Sequence, residues 1–142
     1  MLCKATTLIA RAMDEKNYKY GITEKEKSSI LYAGFSIDNG PNVQCKFIST
    51  DDDNDVAVRL YGLISGITDS NRGKILEVIN KCNNSYRFVT FLIDSDGDVN
   101  IQYDFPVTAT DDAIGVMSCE IFARIMNIVE ECYPLFMKAL WS

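Results

Sequence analysis

Histidine is missing from all 142 residues. That absence excludes Ser-His-Asp and Cys-His nucleophilic catalysis. It also excludes zinc and iron sites that depend on imidazole. An enzyme built on this chain would have to work with carboxylates, lysine, tyrosine or cysteine. Basic residues are few as well: 14 Lys and Arg stand against 20 Asp and Glu, for a net charge of −6. They are scattered, whereas phosphate recognition needs them clustered. Nucleic acid and anionic membrane are therefore disfavoured partners, and the acidic balance speaks mainly for solubility. No stretch approaches the ~18 apolar residues of a membrane-spanning helix. The opening run Met1–Met13 is broken by Lys4 and Arg11 with no basic region ahead of it, so it does not read as a signal peptide.

Cysteine is present but unpatterned. The five, at 3, 45, 82, 119 and 132, contain no C-x-x-C pair, which leaves neither a zinc ribbon nor a thioredoxin-like motif. Cys45, Cys82, Cys119 and Cys132 sit in apolar patterns and read as reduced, buried small hydrophobes. That usage fits a reducing compartment, and the cytoplasm is the expected location. Cys3 is the least embedded and reads as a residue at a fraying terminus.

What the chain does have is ordinary for a globular domain: 47% hydrophobic and 24% charged residues. The length suits one domain over residues 1–142 with one core. Its most regular unit runs from Asp55 to Phe105. Residues 2–16 read as an amphipathic helix, with Leu2, Ala5, Ile9, Ala12 and Met13 near one face. Thr23–Lys27 reads as a charged connector in preference to the start of an edge strand. Ser29–Ile37 reads as a strand with Leu31, Ala33, Phe35 and Ile37 on one face. Asn39-Gly40 turns the chain, and Val43, Cys45 and Phe47 mark a second strand. The acidic turn 51–55 leads into a third, long strand. Both of its faces become apolar towards Ile64, which suggests cover on both sides. Gly62 and Gly66 suggest a bulge or a close helix.

A helix then starts near Asp69 or Ser70 and carries the stripe Ile75, Leu76, Ile79 and Cys82. Asn83-Asn84 reads as its stop. Tyr86–Ile93 and Val99–Phe105 read as a hairpin that Pro106 ends. Asp111 and Asp112 open the last helix. Pro134 predicts a kink or restart, with a short terminal helix to Trp141. The order is α-β-β-β-α-β-β-α: an α+β domain with a mainly antiparallel five-stranded sheet and three helices.

These patterns resemble the YbjN family, also described as putative bacterial sensory transduction regulators. The carrying residues are Val58–Leu63, Lys74–Asn80, Asn83–Phe88, the Asp96–Val99 hairpin with Tyr103, and the end Tyr133–Trp141. The resemblance covers roughly Ser28 to Trp141. It implies a fold similar to type III secretion chaperones and a commonly dimeric, non-catalytic binding or chaperone-like module. It brings no active-site residues to carry over.

Candidate chemistry is sparse. Asp94-Ser-Asp-Gly-Asp98 invites a calcium reading. An EF-hand loop, however, needs glycine at its sixth position and glutamate at its twelfth. Counted from Asp94, glycine arrives at the fourth position and Phe105 at the twelfth, so the stretch reads as a hairpin turn. The acidic turn 51–55 likewise reads as a solvated turn. Arg59 and Arg87 fall inside strands among apolar neighbours, as an anion-binding patch or as surface salt bridges.

The last helix has a second apolar stripe, Phe122, Met126, Val129, Tyr133 and Phe136, wider than packing on one sheet needs. The expected role is contact with a second copy or a polypeptide partner. Arg59, Tyr61, Phe122, Met126, Val129 and Phe136 are the candidate partner-binding residues. The alternative is a small-ligand sensor with a pocket between this helix and the sheet, using Tyr32, Tyr61, Tyr103 and Arg59. No cofactor is called for.

Overall fold

In the computed structural model, residues 1–50, 55–107 and 113–142 are described. The element order is α1 (Lys4–Glu15), β1 (Gly21–Glu24), β2 (Ser28–Ser36), β3 (Asn42–Thr50), β4 (Asp55–Ile64), α2 (Arg72–Ser85), β5 (Thr90–Ile93), β6 (Val99–Pro106) and α3 (Ala113–Trp141). The strands form one antiparallel sheet in the order β1-β2-β3-β4-β6-β5. The α+β class is as expected, but the sheet has six strands rather than five. The extra one is β1, a short edge strand that overlaps the expected connector. It buries almost nothing of its own and is held by pairing with β2, Gly21 opposite Tyr32 to Glu24 opposite Ser29. Periodicity cannot reveal a strand whose side chains stay in water.

The sheet is covered on one face. Leu31, Phe47, Val58 and Tyr103 lie in one cross-strand row, and Leu60, Ile101 and Phe91 in the next. Apart from half-buried Tyr103, these side chains are buried under the helices. The alternate positions, Tyr32, Lys46, Arg59 and Gln102, share the opposite face and remain half-buried. The expectation that the long strand is covered on both sides fails here: Ala57 and Arg59 are half-buried and Tyr61 is exposed. The apolar crowding near its end has another cause. Gly62, at φ 67°, shifts the register between Leu60 and Ile64, which turns both Leu63 and Ile64 inward.

α1 is fixed by a buried polar contact. The Cys3 amide donates to Ser29 Oγ at 3.0 Å, and Thr6 Oγ1 and Ser29 Oγ share a hydrogen bond of 2.6 Å. Cys3 is therefore buried, 1% exposed, and does not lie in a frayed end. α2 starts at Arg72, later than Asp69 or Ser70, and runs through Asn83-Asn84 to Ser85. Asn83 serves the sheet instead of stopping the helix. Its Nδ2 donates to the Phe91 carbonyl at 3.1 Å, and its Oδ1 accepts the Phe91 amide at 2.8 Å. A side-chain amide thus satisfies both backbone groups of Phe91 on the outer edge of β5.

α3 is unbroken through Pro134. The separate terminal helix does not form, because packing continues past the one lost donor. Phe136 and Ala139, beyond the proline, are both buried. The expected helix-opening pair Asp111 and Asp112, and the acidic turn up to residue 54, lie outside the described residues.

The Asp94 turn is a β-hairpin, as expected. Asp94 Oδ1 accepts the amides of Asp96 at 2.8 Å and Asp98 at 3.1 Å. Its Oδ2 accepts Asn100 Nδ2 at 2.6 Å, and Asn100 Oδ1 accepts the Gly62 amide at 2.8 Å. Turn and bulge are one network, linked by an asparagine that is 5% exposed. Asn100→Ala is expected to lower stability by about 1–2 kcal/mol in a urea titration, since it strands the Gly62 donor. The hydrogen bond from the Asp98 amide, then those from Asn100 and Asp96, hold the Asp94 carboxyl below its usual 3.8. A folded value below the unfolded one means that this contribution is complete above the unfolded pKa and disappears as pH falls through the folded one. Asp94→Asn should therefore flatten the loss of stability below pH 3.8, as followed by urea midpoints at successive pH values.

Candidate functional site

A largely apolar groove lies where β5 ends. After Ser85 the chain leaves α2, and the Tyr86 hydroxyl donates to the Glu131 carboxylate on α3. Two residues later Phe88 takes φ 76°. The expected strand from Tyr86 therefore shrinks to Thr90–Ile93. Arg87, expected inside that strand, lies outside it and is exposed. β5 pairs with β6 only as far as Thr90 opposite Gln102. Among the described residues, β6 from Tyr103 to Pro106 has no strand on that side.

A groove of about 170 Å³ opens beside this bare half-edge, between β6 and the first turns of α3. Phe88, Tyr103, Phe105, Met117 and Ile121 form its apolar lining, and Glu120 and Arg124 its rim. Alternation along β6 places Tyr103 and Phe105 on the helix face together, their rings stacked at 5.8 Å. Phe88 meets Tyr103 edge-on at 5.8 Å. The Arg124 guanidinium lies 5.1 Å from the Phe88 ring centre, within cation–π range. It also reaches Glu120 at 3.4 Å, one helical turn back. Phe88 is 51% exposed and Met117 40%. The arrangement can take an apolar side chain and offer a guanidinium to whatever backbone carries it.

The residues expected from sequence do not assemble into one site. Phe122 packs edge-on against Tyr18 at 5.2 Å and Phe35 at 5.9 Å. Phe136 packs against Phe91 at 5.7 Å. Both are buried, as is Val129, and Met126 is half-buried. The wide apolar arc of α3 is filled from within the chain, because α1 and α2 both pack against it. Arg59 and Tyr61 lie on the opposite sheet face. There Arg59 pairs with Asp104 at 2.6 Å, and Lys46 sits 5.5 Å from the Tyr61 ring centre. Tyr32 shares that face, so of the proposed pocket residues only Tyr103 lines the groove. Phe88 carried no sequence signal, since a bulky residue at positive φ is an outlier. Glu120 and Arg124 did carry one, as an i, i+4 charge pair on a helix otherwise apolar at that height.

The family model YbjN, "Putative bacterial sensory transduction regulator", matches residues 7–127. That span, 121 of the 142 residues, takes in most of α1, the whole sheet, α2 and every residue of the groove. The chain belongs to the YbjN family. Membership points to a regulatory role. The match ends at residue 127, so the Tyr133–Trp141 stretch that contributed to the resemblance lies beyond it. Comparison with curated proteins and with solved structures returned no match. Among the described residues of this YbjN domain, no helix is long and apolar enough to cross a membrane.

Proposed function

We propose that this YbjN domain is a non-catalytic, chaperone-like regulatory module of the cytoplasm. It holds an extended segment of a partner polypeptide along the bare half-edge of β6, with one apolar side chain in the groove. The supporting observation is Phe88. Positive φ costs a bulky residue on the order of 1–2 kcal/mol, and here the ring remains half exposed at the groove mouth. A turn needed only to join α2 to β5 would be better served by glycine. Edge pairing supplies main-chain hydrogen bonds, and a pocket for one side chain supplies selectivity.

Size weighs against a small-ligand sensor at this groove between α3 and the sheet. The groove volume of about 170 Å³ falls short of the ~300–1,000 Å³ of typical small-molecule sites. The tyrosines and arginine that would have oriented such a ligand are split across the sheet. The wide arc of α3 supports docking of a second copy or partner less than the groove does, because α1 and α2 pack against it and Phe122, Val129 and Phe136 are buried.

The test compares Phe88→Gly with Phe88→Ala. Both remove the ring, but glycine tolerates the backbone. Phe88→Gly is expected to be the more stable by about 1 kcal/mol. Peptides selected by display on the wild-type domain should be extended and carry a large apolar residue, and Phe88→Gly should fail to retain them. Equal retention by that variant, or selection of nothing, would sink the proposal. A metabolite that raises the melting temperature at low concentration would favour the sensor instead.

A further inference from the structure

We propose that Cys82 and Cys132 are a disulfide-forming modification site, closed by peroxide, that staples α2 to α3. Cys82 lies in the last turn of α2 and Cys132 in the second half of α3, 50 residues apart. Their sulfurs are 3.1 Å apart, so a movement of about 1 Å brings them to bonding distance. Both residues are fully buried, at 1% and 0% exposed, and both thiols are free. Burial pushes both thiol pKa values up. The pair is therefore inert while the fold is closed.

Access is governed by the neighbouring turn. Tyr86 follows Cys82 by one helical turn, and its hydroxyl holds Glu131, the residue before Cys132. Opening of that contact exposes the sulfurs and lets a thiolate form.

The chemistry balances with one peroxide. The first thiolate attacks a peroxide oxygen, the O–O bond breaks, and a sulfenic acid and hydroxide result. The second thiolate attacks the sulfenic sulfur, forming the S–S bond and expelling a second hydroxide. With the two thiol protons the sum is two thiols and one hydrogen peroxide to one disulfide and two waters. Sulfur is oxidised and peroxide oxygen reduced. The product closes a long loop that includes the hairpin and the groove, and it restrains the unfolded chain.

The experiment uses the full chain under native conditions with hydrogen peroxide as the probe, followed by denaturation and alkylation. Wild type is expected to lose about 2 Da and keep three alkylatable thiols of its five. Peptide mapping should join Cys82 to Cys132, and the oxidised protein should melt at a higher temperature than the reduced one. Tyr86→Phe should oxidise several-fold faster, because it keeps the ring and loses the contact with Glu131. Five alkylatable thiols after a dose that fully oxidises a free-thiol peptide would overturn the proposal. So would a different pairing, or a melting temperature that does not rise. These readouts do not depend on any polypeptide partner, so they stand or fall apart from the proposed function.

Discussion

Phe136→Ala is expected to remove about 3–5 kcal/mol of folding stability, the usual cost of emptying a buried aromatic site. Phe136 is 0% exposed and stands between α3 and the sheet, against Phe91. Its neighbours are held from several directions. Phe91 is tied to Asn83 through both backbone groups, and Cys132, one turn back on α3, touches Cys82. Such a site collapses poorly, which places the cost towards the upper end. For a domain stabilised by roughly 5–15 kcal/mol in total, that is a large fraction. Trp141→Ala, one and a half turns further along and 84% exposed, should change stability by less than about 0.5 kcal/mol. Urea titrations of the two variants check both figures. A Phe136→Ala midpoint matching wild type would mean that the residue is not core. Any loss of partner binding in this variant should follow the loss of folded protein, unlike the loss in Phe88→Gly.

The fate of Phe136 shows what periodicity can and cannot tell. Its place in an apolar stripe was legible, and so was the unusual width of the arc formed with Phe122 and Val129. Width reports how many sides of a helix avoid water. It does not report what covers them. α1 and α2 come back from the same chain to cover α3, and that follows from connection lengths and sheet order rather than from α3 itself.

Strand faces were legible for the same kind of reason. Alternation in β2, β3, β4 and β6 marked the inward residues, and Gly62 and Gly66 suggested a bulge or a close helix, of which the bulge at Gly62 formed. What failed was the combination of faces across strands. Tyr32, Arg59 and Gln102 fall in one cross-strand row, so Tyr103, one residue on, must face the other way. A single step of register decides whether four polar groups form a pocket or lie on opposite sides of a sheet. The groove itself depends on Phe88 turning the chain out of β5, a backbone state that side-chain type argues against. The bare half-edge of β6 was therefore beyond what the residues announce.

Gly115→Leu is expected to cost about 3 kcal/mol, at the upper end of ordinary overpacking. A first side-chain carbon at position 115 would lie 2.7 Å from the Leu8 carbonyl oxygen and 2.8 Å from Ala12 Cβ. The nearest obstacle is backbone, so no rotamer change relieves it. α1 would have to move as a body, against its anchors at Ser29 from Cys3 and Thr6. Gly115→Ala tests the sign. Alanine gains about 1 kcal/mol over glycine in a helix interior, yet the clash should outweigh that gain and leave the variant less stable than wild type. Gly73 is the control: it is helical too, but a side-chain carbon there meets nothing within 4 Å. Gly73→Ala should raise stability by about 0.5 kcal/mol. Opposite signs for the two alanine variants in thermal unfolding would locate the close crossing of α1 and α3 at Gly115. Stabilisation by both would mean that the helices stand further apart and that Thr6 and Ser29 do not fix α1 where the hydrogen bonds place it.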